Sequence, residues 1–259
     1  MRHIRELLDL TKQVAIITGG ATGIGLQMAY ALGEAGANLV IASRKLDRCK
    51  EIAQKMESES GIEVLPLRVD VRNPQEIEVL YNKVMNRFGR LDILINNSGA
   101  MWGAPALEFP LHGWNKVMET NVTGAWLMAQ NAGRIMAEQK YGRIINIASY
   151  LAFVGIPEEI SPAVVYSTSK AAIVGLTRDL AVKWAKYNIT VNAIAPGWFP
   201  SEMSQANKDK HDELISHHIP MQRFGMDDEL KTAVLFLASP GSSYCTGCII
   251  SVDGGILAQ

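Results

Sequence analysis

The sequence predicts an α/β fold, a doubly wound seven-stranded parallel sheet with helices on both faces. Three observations carry that expectation. Short apolar runs suited to strands buried on both faces alternate with longer stretches of helical apolar spacing. The first such run, residues 14–17, feeds a helix through Gly19, Gly23 and Gly25. No Pro- or Ser-rich linker, internal repeat or low-complexity segment interrupts the alternation, so residues 1–259 read as one domain.

Composition narrows the function classes. Hydrophobic content is 48% and charged content 20%, as in an ordinary globular protein with a real core. The net charge of −1 gives no broad footprint for nucleic acid. Trp102 and Trp114 resemble a base-stacking platform, but no basic stripe accompanies them. No apolar run is long enough to span a membrane, and the N-terminus M-R-H-I-R-E-L-L-D-L lacks a signal-peptide core. A cytoplasmic protein is expected, and Cys49, Cys245 and Cys248 fit a reducing compartment. Cys245 and Cys248 form a C-x-x-C with no second pair or nearby His. They read as small apolar fillers beside the last strand rather than metal ligands.

The elements follow in order. After the first strand, helical spacing begins at Ile24 and runs through Met28, Ala31 and Leu32. Glycines without a Cβ let backbone N–H groups approach a phosphate at the positive end of a helix. Gly19, Thr22, Gly23, Ile24 and Gly25 are therefore expected against a dinucleotide pyrophosphate. Residues 38–42 form the second strand, with Ser43 and Arg44 beyond it, where the adenosine ribose is read. No acid stands at 43–45 to accept from a ribose 2′-hydroxyl. Donation from Ser43 and Arg44 to a 2′-phosphate favours NADP(H) over NAD(H).

Leu46, Cys49, Ile52, Ala53 and Met56 stripe the next helix, which Gly61 ends. Residues 64–69 are the third strand, followed by Asp70 and Val71. Asn73 caps a helix with Pro74 at its first position, and Glu76 is placed to close a capping box. Residues 91–95 are the fourth strand, ending in Asn96, Asn97, Ser98 and Gly99. A long helix spans 114–137 with Asn121 in its middle, an unusual place for a side chain that competes with the helix backbone. The fifth strand, 143–148, delivers Ser149, and a helix over 166–186 carries Tyr166 and Lys170 on one face. The sixth strand, 189–194, ends in Pro196-Gly197. Residues 198–225 read as an irregular, polar lid in which His217 and His218 are solvated loop residues. A helix over 227–238 and a strand over 248–252 complete the chain.

Asn121, Ser149, Tyr166 and Lys170 make an acid–base set for hydride transfer. A carbonyl that accepts hydride develops charge on oxygen and needs a proton. Tyr166 supplies it, with Lys170 one turn away to lower its pKa. Ser149 donates to the same oxygen, and Asn121 holds a water that links Lys170 to solvent.

With these residues in view, the chain resembles the short-chain dehydrogenase/reductase family from about residue 10 to the C-terminus. The likeness rests on T-G-G-A-T-G-I-G at 18–25, Asp70-Val71, N-N-S-G at 96–99, N-V-T at 121–123, Ser149, Y-S-T-S-K at 166–170 and Pro196-Gly197. The resemblance implies a Rossmann domain, a nicotinamide cofactor, an Asn-Ser-Tyr-Lys tetrad and a homotetramer. It adds Asp70, Val71, Asn97, Ser98, Gly99, Pro196, Gly197 and Ser201 to the residues expected at the cofactor. N-N-S-G replaces the usual N-N-A-G, Ser201 replaces Thr, and the gap between Ser149 and Tyr166 is enlarged at 155–162.

Three stretches look closest to 3-oxoacyl-thioester reductases: 102–110, 113–123 and 195–203. The last is also similar to gluconate 5-dehydrogenases. Met101, Trp102, Leu151, Phe153, Trp198, Phe199 and Met203 are expected to wall the pocket. Their apolar surface favours a medium-chain β-ketoacyl thioester, with a sugar or polyol ketone as the alternative. A non-catalytic, NADP-binding regulatory protein is the alternative class, and the intact tetrad argues against it.

Overall fold

The computed structural model describes residues 1–200 and 218–259. The seven strands are β1 (Val14–Thr18), β2 (Asn38–Ser43), β3 (Val64–Arg68), β4 (Ile93–Asn96), β5 (Gly142–Ile147), β6 (Ile189–Pro196) and β7 (Ile249–Val252). They form one parallel sheet in the order β3-β2-β1-β4-β5-β6-β7. The chain winds outward from β1 to β3 and then returns to begin again at β4. The crevice between the carboxyl ends of β1 and β4 is therefore the topological switch point, where open α/β sheets bind ligands.

Alternation along each strand divides the core in two. Ala15 and Ile17 face one layer with Met28, Leu32, Leu39, Met56 and Leu237. Val14 and Ile16 face the other with Ile77, Leu80, Met128, Ala132 and Leu180. The first layer is supplied by α2 (Gly23–Glu34), α3 (Leu46–Ser60) and α8 (Lys231–Ala238). The second is supplied by α4 (Pro74–Phe88), α6 (Gly124–Gln139) and α7 (Val164–Trp184). Each fully buried Ile or Leu contributes about 1.5–3 kcal/mol through lost water contact. Both faces of the central strands must therefore be apolar. One of the two edge strands, β3, carries Pro66 at its middle.

Several boundaries differ from the sequence-based expectation. A short helix α1 (Ile4–Leu8) precedes β1; it buries none of its own residues, so no apolar stripe announces it. The long helix begins earlier, as α5 (Leu111–Met118), and is continuous with α6 through a π-helical turn at Glu119–Thr123. The last helix begins at Lys231, after turns rather than helix at 227–230. Asn73 caps α4 by accepting from the N–H groups of Gln75 and Glu76. The expected capping box does not close. The Asn73 N–H already donates to the Asp70 carbonyl, and Glu76 instead accepts from the Asp70 N–H at 2.9 Å. Cys49 is buried, but Cys245 is half-buried and Cys248 exposed, so neither member of the C-x-x-C pair is a core filler.

Candidate active site

At the switch point the chain builds a cleft of about 450 Å³. Its floor is the turn between β1 and α2. Gly19 has φ +66°, and a Cβ at Gly25 would collide with the Gly19 carbonyl and the Asn97 carboxamide. That cradle must stay free of side chains for backbone N–H groups to face a ligand. Thr18, at the end of β1, locks the turn to the neighbouring loop. Its hydroxyl oxygen accepts from the N–H groups of Asn97 and Ser98, each at 3.0 Å, and its hydroxyl donates to the Ile95 carbonyl at 3.2 Å. The Asn97 side chain donates back to the Thr18 carbonyl at 2.9 Å.

Gly19, Thr22, Gly23, Ile24 and Gly25 all line the cleft, as do Ser43, Arg44, Asp70, Val71, Asn97, Ser98, Gly99, Pro196 and Gly197. Lys45, Arg48 and Arg72 join Arg44 at the end beyond β2, where spacing alone had pointed to Arg44. Asp70 is the acid at this end, and Arg72 grips it with Nε and Nη2 at 3.0 and 2.6 Å. That bidentate hydrogen bond holds the Asp70 carboxyl down at about 2. The Ser43 hydroxyl is already engaged with the Lys45 backbone and the Cys49 thiol. The cationic end thus rests on Arg and Lys rather than on Ser43. Ser201 and Met203 lie outside the described residues, as does most of the expected lid.

Ser149, Tyr166 and Lys170 meet at the other end of the cleft. Ser149 follows β5, and α7 projects Tyr166 and Lys170 one turn apart across from it. The Ser149 hydroxyl bonds the Tyr166 phenol and draws its pKa down, but burial outweighs it and pushes the phenol up to about 12. The expected depression of Tyr166 by Lys170 is not what this geometry gives. The Lys170 Nζ lies 5.5 Å from the centre of the Tyr166 ring and donates to the Ile147 carbonyl at 2.6 Å. Burial brings Lys170 itself down to about 8, so it remains largely charged at neutral pH. Tyr166 is consequently a protonated phenol across the physiological range, the state a proton donor requires.

Asn121 lies within the π turn and is buried. Its Oδ1 accepts from the Ala100 N–H at 2.7 Å, while Nδ2 donates to the Ala100 carbonyl at 3.0 Å and to Ser169 Oγ at 2.9 Å. The carboxamide ties the loop after β4 to α7, with both of its N–H groups engaged and an oxygen lone pair left to accept from a water. Ser169 is the neighbour of Lys170, so Asn121 is tied to the stretch of α7 that carries Lys170.

The expected pocket walls divide. Phe199 lines the cleft, Leu151 is buried, and Trp198 packs between Tyr150 and Phe224. Phe153 is exposed at 44%. Trp102 turns away onto α5, over Gly113, edge-on to His112 and under Lys116 Nζ at 5.1 Å. Thr18, Arg48 and Arg72 are site residues that sequence reasoning missed, and Tyr150 packs beside Tyr166. A hydroxyl before the glycines was the available signal for Thr18; nothing in spacing marked the others.

With this geometry in place, likeness to known proteins becomes informative. A family model described as enoyl-(acyl carrier protein) reductase matches residues 19–257. A 2-dehydro-3-deoxy-D-gluconate 5-dehydrogenase of Dickeya dadantii is 38% identical over 263 residues, covering 99% of this chain and 100% of that protein. A 3-oxoacyl-[acyl-carrier-protein] reductase of Aquifex aeolicus is 33% identical over 249 residues, covering 96% and 99%. The crystal structure of a short-chain type dehydrogenase/reductase from Mycobacterium marinum superposes with a TM-score of 0.94 at 36% identity, covering 99% and 100%.

Proposed function

The chain belongs to the short-chain dehydrogenase/reductase family of oxidoreductases, and from that premise we propose that it reduces a ketone to a secondary alcohol with NADPH. The observation that carries this reading is the convergence of a protonated Tyr166, a charged buried Lys170 and Ser149 beside a glycine cradle. The cradle fits a dinucleotide, because side chains are excluded where a pyrophosphate would lie. The nicotinamide supplies hydride when bound. The protein's own part is to hold the ketone oxygen between the hydroxyls of Ser149 and Tyr166 and to deliver the Tyr166 proton to it. Lys170 keeps positive charge next to the phenol as that proton leaves. Arg44, Lys45 and Arg48 support NADPH over NADH, since a 2′-phosphate meets cations there and no acid stands at 43–45.

The substrate we favour is a medium-chain β-ketoacyl thioester. Leu151, Trp198 and Phe199 offer apolar surface, and a sugar acid would need a cation for its carboxylate. The gluconate-type relative keeps a sugar ketone as the second reading. Two measurements test the proposal. Tyr166→Phe should lower turnover at least about a hundredfold while cofactor titration stays near wild type. Comparison of kcat/KM for a β-ketoacyl thioester with that for 5-ketogluconate decides the substrate, and preference for the latter rejects the thioester.

The exposed face of α7, with Val164 at 41% and Val182 at 80%, suits a second copy of the chain, and we propose a homotetramer. We place the enzyme in the cytoplasm, where its three free thiols stay reduced.

A further inference from the structure

Tyr150 directly follows Ser149, and its side chain is only 4% exposed. Its ring belongs to an apolar cluster with Leu151, Ile219 and Ile256, against which Tyr166 and Trp198 also pack. The hydroxyl at the end of that ring is buried, and among the described residues no acceptor takes its proton. The Trp198 ring lies close, centroid to centroid 6.1 Å, but an indole N–H is a donor only. Trp198 can serve the Tyr150 oxygen and never its proton. The structure thus keeps a buried donor with no acceptor among the described residues, next to the reacting groups. Such groups are rare in folded proteins, because leaving one unpaired costs about 1–3 kcal/mol. A ring needed only for packing would do better as Phe. Burial raises the Tyr150 phenol pKa, and the neighbouring Tyr166 acts in the same direction. The proton therefore stays on Tyr150, ready to be shared.

We propose that Tyr150 is a specificity-determining residue, whose hydroxyl donates to a second oxygen of the substrate beside the ketone oxygen held by Ser149 and Tyr166. Resting on the thioester reading above, that second oxygen is the thioester carbonyl, one methylene removed from the ketone. A ketone without it leaves the Tyr150 donor unpaired in the complex, and a site built this way discriminates against such a ketone.

The test compares wild type and Tyr150→Phe on a β-ketoacyl thioester of N-acetylcysteamine, a methyl ketone of equal chain length and 5-ketogluconate. The ratio of kcat/KM for the thioester over the methyl ketone should fall about tenfold in the variant, the effect of one neutral hydrogen bond. The melting temperature should stay near that of wild type, because the change removes a proton that no acceptor takes among the described residues. An unchanged ratio, or an equal loss on both ketones accompanied by a lower melting temperature, makes Tyr150 a packing residue and overturns the proposal. Should the wild type prefer 5-ketogluconate, the thioester reading fails on its own. Tyr150 is then judged by the ratio of ketogluconate over the methyl ketone, which must fall in the same way, because that substrate also carries an oxygen next to its ketone.

Discussion

Lys170 is the residue of the proposed catalytic group that changes charge first as pH rises. Its pKa is brought down to about 8 by burial, while Tyr166 is pushed up to about 12. As pH rises, the first change is loss of the Lys170 charge, and loss of the Tyr166 proton comes far later. Reduction should therefore decline through a limb near pH 8, with turnover fitted across pH 6–10 as the check. A limb appearing only above pH 10 would assign the titration to the phenol instead. At the far end of the cleft, Arg44 has no acid at 43–45 to neutralise it. Arg44→Asp should raise KM for NADPH about tenfold or more and that for NADH much less, because one charge-assisted contact is replaced by repulsion. An equal loss with both cofactors would show that Arg44 does not read the 2′-phosphate.

Among elements, the tie between β1 and the loop after β4 is the joint on which the cleft depends. Thr18→Val leaves the N–H groups of Asn97 and Ser98 without their acceptor, at a cost of about 1–3 kcal/mol. The melting temperature should fall and KM for the cofactor should rise together; a stable variant with altered KM alone would separate the two roles. The strands were legible in the sequence because burial on both faces demands continuous apolar runs such as Ile16–Ile17 and Ile144–Ile145. The glycine cradle and the Ser149, Tyr166, Lys170 group were legible for a related reason, since each sits directly at a strand end or one helical turn apart. The π turn was not, because Gly124 at its end fits an ordinary α-helix equally well; the clue was Asn121, a polar side chain in mid-helix. Where Trp102 packs was not legible, because size and apolarity predict burial without saying against what. Here Gly113 leaves the space that takes the indole ring. Tyr150 went unread because a buried hydroxyl with no acceptor among the described residues is visible only in three dimensions.

For the whole molecule, every group with a chemical role lies at the carboxyl ends of the strands, so the two sheet edges are left to govern association. The outer edges are β3 and β7. Pro66 sits in the middle of β3, paired in register with Ile41 of β2. A proline is tolerated in an edge strand where its nitrogen turns outward, and there it offers an incoming strand no N–H. The molecule therefore has a blunted side and an open one. Any extension of the sheet by another backbone is directed to β7, which keeps chains from joining edge to edge in unending stacks. Pro66→Val restores the missing donor on the far side. Such a variant should keep its activity when fresh yet scatter light at lower concentration on warming, and unchanged scattering would show that the edge is guarded by something other than this one ring.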